Sequence, residues 1–411
     1  MFFKPAYIKD AQERRRLLKK VYLYRRSQLT RGEVDAINAM SEKLKKAIQS
    51  KNKKALETLD RESGTLLKKV GAHYYRNYYF FDNVETFVVA AIVAIGIRSF
   101  FLQPFQIPTN SMWPTYHGMV YEFKKDSPGE GGALAGLRRV WEFIVHGATR
   151  HYLKAPCDGE FKIAIFGQEE REQYHSIFRY RDATQDILGL IPSKVHEYLF
   201  KVGDTPVTLA LSADFSMDRL LIDKFFSDKR PLIVDSDGYA STGVQVRAGE
   251  PLLNFDIASG DMLFVDRFTY NFFPPKIGDP IVFRTRAIPG ITQLNSGIPD
   301  DKYYIKRLVG LPGDKLSIKD TILYRNGAPI TGTPIFEKNF KKTPPYPGYQ
   351  AAYNLANGNT AIVPSGNFYG FGDNSPDSED SRVWGGIPQD QLVGRAVFIY
   401  YPFTERWGLS K

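Results

Sequence analysis

The sequence predicts a mainly β domain built on antiparallel sheet and carrying an inserted region, preceded by one N-terminal transmembrane helix and a helical cytosolic tail. Three observations predict it. Phe87 to Phe105 is an apolar run with a single charge, Arg98, and at about 1.5 Å per residue a helix of that length approaches the roughly 30 Å hydrocarbon core of a bilayer. Before it, Met1 to Gly71 is dominated by helix formers and charge. After Met119 the chain turns to short β-rich runs punctuated by Gly, Pro and Asp.

The tail comes first. Residues 1–83 carry 20 Lys and Arg against 9 Asp and Glu, and the rest of the chain 35 against 36, so the net charge of +10 arises before the apolar run. Arg14 to Lys20 and Glu42 to Leu66 read as two or three helices, with turns near Thr30-Arg31-Gly32 and Ser50-Lys51-Asn52. The segment lacks the short apolar core and small-residue cleavage site of a removable signal. It reads as a solvated helical tail, with contact to anionic lipid or nucleic acid as the alternative.

Aromatic residues flank the apolar run, Tyr74 to Phe81 on one side and Phe100, Phe101 and Trp113 on the other, as expected of side chains that prefer the membrane interface. Arg98 is placed to snorkel toward the nearby exit. Lys68, Lys69 and Arg76 precede the run and no Lys or Arg follows it until Lys124. The positive-inside rule therefore puts the N-terminus in the cytoplasm and the rest of the chain outside.

Strands are expected at Phe161 to Phe166, Pro206 to Leu211, Pro231 to Val234, Met262 to Val265, Pro280 to Phe283, Lys315 to Ile318 and Leu392 to Tyr400. Helical stretches are expected near Leu134 to Val145 and Met217 to Phe226. Ser127 to Gly132 reads as a flexible insertion point. The one cysteine, Cys157, excludes an intrachain disulfide and a Cys-based zinc cluster.

Three segments carry chemistry. Pro104-Phe105-Gln106-Ile107-Pro108-Thr109-Asn110-Ser111-Met112-Trp113-Pro114-Thr115 directly follows the apolar run. Its prolines lack amide donors and favour an extended edge strand beside which a peptide can pair, ending in a serine at the membrane surface. An ordinary exit linker is the plain alternative. In Tyr303-Tyr304-Ile305-Lys306-Arg307-Leu308-Val309-Gly310-Leu311-Pro312-Gly313-Asp314 a lysine sits inside an apolar strand. Burial lowers a lysine's pKa and makes it a general base near neutral pH. Strand alternation equally allows Lys306 outward and Arg307 inward. Gly372-Asp373-Asn374-Ser375-Pro376-Asp377-Ser378-Glu379-Asp380-Ser381-Arg382 is a dense polar loop. Asp380 and Arg382 can pair there and hold a basic group in place, or the loop is merely solvated.

In order, the apolar span, the serine segment, Gly260-Asp261-Met262-Leu263-Phe264-Val265-Asp266-Arg267, the lysine strand and the polar loop resemble the type I signal peptidases, or leader peptidases. The resemblance covers about Arg98 to Tyr116 and Ser259 to Phe403. It implies a signal-peptidase-like catalytic domain in the bacterial inner membrane, acting as a serine endopeptidase by a Ser/Lys dyad. It places the nucleophile on Ser111, the general base on Lys306 and the oxyanion donors on the Thr109 hydroxyl and the Ser111 amide. Ser378 becomes the residue that orients the lysine, with Asp373, Asp380 and Arg382 as structural residues. Phe105, Ile107, Met112, Tyr304 and Ile305 are placed to line shallow pockets for small side chains one and three residues before the cut. No metal or cofactor is required. The implied partners are preproteins carrying signal peptides, the lipid bilayer and the secretion translocon, with no nucleic acid expected.

The expected layout is a basic helical cytosolic region over 1–81, the transmembrane helix over 82–103, a first catalytic segment over 104–116, the insert over 117–256 and a second catalytic segment over 257–411. Two departures stand out. Ser375 occupies a position where the family usually has arginine, and about 140 residues, His117 to Asp256, separate segments that family members commonly join by a short connection. A lid, a partner-docking domain and inert decoration are all open for that insert. Two rivals remain in view: a self-cleaving repressor-type protease, which the apolar span opposes, and a degenerate peptidase serving as a membrane-anchored binding factor. His117 near Ser111 is taken as incidental, and Ser50-Lys51-Asn52-Lys53, which fits S-x-x-K, lies in a polar stretch.

Overall fold

The computed structural model describes residues 5–125, 132–174, 176–187, 191–226, 232–294 and 301–410. Ser127 to Gly131 of the expected insertion point, and Pro231 of one expected strand, lie outside the described residues. The chain divides into two compact units, Met1–Gly96 and Ile97–Lys411.

In the first unit, α1 (Ala6–Arg25), α2 (Arg31–Gln49) and α3 (Lys53–Val70) stop and start at the expected turns. Thr30 and Glu33 cap α2 reciprocally, with the Thr30 amide donating to Glu33 Oε2 at 2.9 Å. Asn52 Oδ1 accepts the Ala55 amide at 3.1 Å to open α3. Leu17, Leu18, Val21, Ile37, Leu44, Leu56 and Leu67 are buried together in one core. The segment read as a solvated tail is thus a packed helical bundle, because each helix keeps an apolar stripe at helical spacing beneath its charges. After a short α4 (Ala72–Arg76), α5 (Tyr78–Phe100) is, among the described residues, the helix long and apolar enough to cross a membrane, and none of its apolar window is buried. Lys20 on α1 donates to Asp82 Oδ1 at 2.6 Å near the start of α5. The helix begins earlier than expected and stops before Leu102, since Pro104 cannot continue it and disfavours helical backbone in the residue preceding it.

The second unit is built on an eight-stranded sheet in the order β1-β10-β19-β11-β12-β17-β18, with β20 also pairing β19. Its strands are β1 (Leu102–Gln106), β10 (Met262–Asp266), β11 (Pro280–Arg284), β12 (Tyr303–Gly310), β17 (Asn367–Phe371), β18 (Ile387–Pro388), β19 (Leu392–Tyr401) and β20 (Gly408–Leu409). The named pairs are antiparallel. β1 lies at an edge, with Phe105 opposite Leu263. Gly260 is required where the chain passes β1, since a Cβ there would stand 1.8 Å from the Ile107 carbonyl oxygen. A second sheet, β13 (Lys315–Lys319), β14 (Ile322–Arg325), β15 (Ala328–Pro329) and β16 (Thr360–Ile362), packs Leu316, Ile318 and Leu323 against Val309 and Phe371. Short helices α9 (Pro289–Leu294), α10 (Pro334–Phe340) and α11 (Ser381–Trp384) fill the connections.

Among the described residues, the 117–256 segment is folded, largely as β-sheet. β2 (Val120–Phe123) and β3 (Thr149–Lys154) flank β9 (Pro251–Ala258), which runs past the expected boundary at 256. β4 (Gly159–Ala164), β5 (Tyr180–Ile187), β6 (Ile191–Val202), β7 (Thr205–Ser212) and β8 (Tyr239–Val246) form a further sheet. With α6 (Gly132–His146), α7 (Gln168–Tyr174) and α8 (Asp218–Phe225) the described residues include a separate core around Phe161, Phe178, Phe200, Leu221 and Phe255. Val234 makes only an isolated bridge to Ala240 in place of the strand expected at Pro231 to Val234. Asp235 turns the chain there by accepting the Asp237 and Tyr239 amides at 3.1 and 2.9 Å.

Candidate active site

The serine segment leaves β1 and folds into a tight turn. Asn110 Oδ1 accepts the Gly118 amide at 2.9 Å, and the Gly118 Cα packs so closely on the Thr109 backbone that a Cβ would stand 2.3 Å from its carbonyl carbon. The Asn374 amide donates to the Ser111 carbonyl at 3.1 Å, and Asn374 Nδ2 to the Asn110 carbonyl at 3.1 Å. The polar loop therefore grips the serine turn by its backbone. Gly372 permits this approach, because a Cβ there would meet Ser378 Oγ at 2.2 Å and the Ser111 carbonyl oxygen at 2.4 Å.

Lys306 Nζ lies 2.8 Å from Ser111 Oγ and 3.2 Å from Ser378 Oγ. The side chain is 4% exposed. Burial penalises the ammonium and lowers the Lys306 pKa to about 8, with the nearby Asp380 carboxylate opposing only part of that shift. Behind the lysine runs a chain of fixed groups. Ser378 Oγ donates to Asp380 Oδ2 at 2.9 Å, and Arg382 clamps the same carboxylate through Nε and Nη2 at 2.8 and 2.7 Å. Asp380 also caps α11 and accepts the Gly372 amide at 3.0 Å.

The choice between Lys306 and Arg307 as the inward residue is resolved by both being buried, on opposite faces of β12. Arg307 Nε and Nη2 donate to Asp373 at 2.7 and 2.6 Å, and both side chains are fully buried. Burial opposes the guanidinium charge, and Asp373 more than offsets it, so Arg307 is held above its ordinary pKa. Thr115 Oγ1 donates to Asp373 at 2.6 Å, tying this pair to the serine turn. Ser375 is built into the loop. Its Oγ accepts from Arg382 Nη1 at 2.6 Å and from the Gln350 amide at 2.8 Å.

Ser111 and Lys306 open onto a cavity of about 580 Å³ walled by Phe105, Ile107, Thr109, Tyr304 and Ile305. Met112 does not reach it. That residue is fully buried among Ile107, Tyr116 and Leu263, because the turn at Asn110 to Trp113 points it into the core. Tyr303, Leu263 and Val282 also line the cavity, and the Phe105 and Tyr303 rings meet edge-on at 5.0 Å. So does Asp214, from the turn after β7, while Arg219 on α8 reaches Asp377 at 3.5 Å. Residues 117–256 thus contribute to the cavity wall. His117 is absent from that wall; its amide donates to Asp261 at 2.8 Å, and burial followed by the Arg406 charge lowers its pKa. Among the described residues no group of three or more His, Cys, Asp or Glu is arranged to hold a metal ion.

Residues 253–401 match the family described as signal peptidase, peptidase S26. The chain is 36% identical over 152 residues to a probable signal peptidase I-1 of Synechocystis sp., covering 37% of this chain and 67% of that one. The chain belongs to the signal peptidase I family of serine endopeptidases. A signal peptidase I of Leptolyngbya laminosa is 33% identical over 142 residues, 34% of this chain and 61% of that one. A signal peptidase IB of Staphylococcus aureus is 39% identical over 106 residues, 25% of this chain and 55% of that one. The chain therefore spans between about half and two-thirds of the length of these signal peptidases. The family match includes Lys306 and the polar loop but begins after Ser111. Ser111 is the candidate nucleophile by its 2.8 Å approach to Lys306.

Proposed function

We propose that this signal peptidase family member is anchored in the inner membrane by α5 and cleaves signal peptides from exported preproteins by acyl transfer through Ser111 and Lys306. The observation that carries the reading is a buried lysine with its pKa lowered to about 8, standing 2.8 Å from a serine hydroxyl on the wall of an open cavity. Neutral Lys306 accepts the Ser111 proton as Oγ attacks the scissile carbonyl. The resulting ammonium returns that proton to the leaving amine, which departs as the new N-terminus. Lys306 then deprotonates a water, which attacks the ester and releases the signal-peptide carboxylate. Ser378, held by Asp380 and Arg382, keeps Nζ aimed at Ser111 through both steps.

The cavity suits an extended peptide with small side chains. Among the described residues β1 pairs with β10 at the edge of its sheet, and both Phe105 and Gln106 of β1 border the cavity. A peptide laid along β1 extends the sheet from that edge. Phe105 against Tyr303 narrows the space, which favours the A-x-A pattern before signal-peptide cleavage sites. Purified full chain in detergent is expected to cut a preprotein after its second alanine; failure to cut a folded, A-x-A-bearing preprotein would overturn the reading.

The charge before α5 supports a cytoplasmic N-terminus with Ser111 on the exported side, next to the bilayer and the translocon. Protease added to intact spheroplasts should digest only the part after α5. Digestion of the N-terminal helices instead would reverse the orientation.

Thr109 stands exposed on the cavity wall, and among the described residues neither its hydroxyl nor the Ser111 amide has a hydrogen-bond partner. Both are free to hold the developing oxyanion. Thr109→Val is expected to leave KM near wild type while lowering turnover roughly 10²–10³-fold, the scale of one oxyanion donor, with Thr109→Ser mild. Unchanged turnover in the valine variant would assign the oxyanion to other donors.

A further inference from the structure

Helix α6, in the segment between the serine and lysine strands, is turned inside out. Leu137, Val140, Trp141 and Ile144 recur at helical spacing and form one stripe, yet they are 67, 55, 64 and 53% exposed. Arg139, Glu142 and Val145 are the residues turned toward the domain, and Arg139 Nη2 is buried there without a hydrogen-bond partner among the described residues. A helix on a protein surface in water buries its apolar stripe and exposes its charges. Here Arg139 and Glu142 face the protein with Val145 while the apolar stripe faces out, so the stripe is matched to an apolar neighbour.

The helix is not a loosely attached segment. Tyr401 Oη donates to the Phe143 carbonyl at 2.7 Å, and the Phe403 amide donates to the Val145 carbonyl at 2.9 Å. Gly147 ends it with φ +63° against Ser259, where a Cβ would come within 2.3 Å of Ser259 Oγ. Tyr401 lies opposite Met262, and Met262 opposite Gln106 of β1. Gln106 is four extended residues, about 13 Å, from Leu102, where the chain has just left α5. The anchored end of α6 is therefore tied by two strand pairings to the neighbourhood of the membrane exit. A tryptophan within the stripe and Arg138 beside it are the composition of a helix lying in a lipid interface with anionic headgroups.

We propose that α6 lies in the outer membrane–water interface, with Leu137, Val140, Trp141 and Ile144 at the headgroup–acyl boundary, as a second attachment in addition to α5. The proposal rests on the reading that α5 crosses the bilayer. It gives residues 117–256 a role: they hold the cavity at the level where the cleavage region of a signal peptide leaves the membrane.

The test uses the full chain with Cys157→Ser and Val140→Cys, labelled with an environment-sensitive fluorophore and reconstituted into phosphatidylcholine–phosphatidylglycerol vesicles. Ser236→Cys, on an exposed turn, serves as the comparison site. Flotation with the vesicles reports anchoring by α5 separately, and cleavage of a short soluble peptide reports folding. The label at 140 should be quenched by nitroxide-bearing lipids and shielded from aqueous iodide, with the reverse at 236. A label at 140 open to iodide in floating vesicles would overturn the proposal while leaving the anchor intact. Shielding without nitroxide quenching would also overturn it, in favour of a protein partner or a second copy. In a second arm, Val140→Asp with Ile144→Asp should lower cleavage of a vesicle-embedded preprotein and leave cleavage of the soluble peptide unchanged. Equal loss on both substrates would contradict a membrane role.

Discussion

Ser111→Ala and Lys306→Ala are each expected to abolish preprotein cleavage, by on the order of 10⁶-fold in turnover, the scale seen when a nucleophile or its base is removed from a serine protease. The double variant should be no worse than either single one, because two groups 2.8 Å apart that share one proton act as a unit. Lys306→Arg should not restore activity, since guanidinium stays protonated at working pH. The stability of these variants separates chemistry from folding. With its pKa lowered from 10.5 to about 8 by burial, Lys306 binds its proton less readily in the folded than in the unfolded chain. Folding therefore gains stability as pH rises from about 8 to 10.5, and at pH 7 it is weaker by about 3 kcal/mol than with an unperturbed lysine. Lys306→Met removes that penalty and keeps the volume, so it should be inactive yet melt no lower than wild type at pH 7. An inactive variant that melts well below wild type would mean that Lys306 is needed for the fold and not only for chemistry.

Asp373→Ala is expected to cost about 3–5 kcal/mol of stability by leaving the Arg307 guanidinium buried without its counter-charge. It also removes the acceptor of Thr115 Oγ1, so the serine turn loses a restraint. Replacing both partners, Arg307→Met with Asp373→Leu, should recover much of the lost stability, because two apolar groups of similar volume escape the desolvation that the ion pair must overcome. Urea unfolding of the single and double variants measures both terms. A double variant as unstable as Asp373→Ala would show that the pair's hydrogen bonds to Thr115 and the Gly278 carbonyl, rather than its charges, hold this face together.

The residues that could be read from the chain were those whose local setting was chemically odd. A lysine between Ile305 and Leu308, and a serine after two prolines at the end of an apolar run, stand out in any sequence window. Orientation was not readable in the same way. Period-two alternation decides between neighbours only when one face of a strand is wet, and both faces of β12 are covered, so Lys306 and Arg307 are each buried. Met112 is buried away from the cavity for a related reason: it adjoins Ser111 in sequence, but a turn carries no fixed alternation. Asn374 and Gly372 were missed as positioning residues because their partners, Asn110 and Ser111, lie more than 260 residues away. Charge dominates the composition of the N-terminal segment, whereas its apolar stripes set its packing. β5 and β6 were not expected, since polar residues such as Arg181, Asp182, Lys194 and Glu197 dilute their pattern until the strands pair.

The pH dependence of kcat/KM on an A-x-A preprotein tests the Ser111–Lys306 pairing most directly. If neutral Lys306 is the base, activity rises with pH through about 8 and then levels. A histidine-directed reagent should leave that profile unchanged. Activity already level below pH 7, or a midpoint near 6.5 lost on histidine modification, would contradict it.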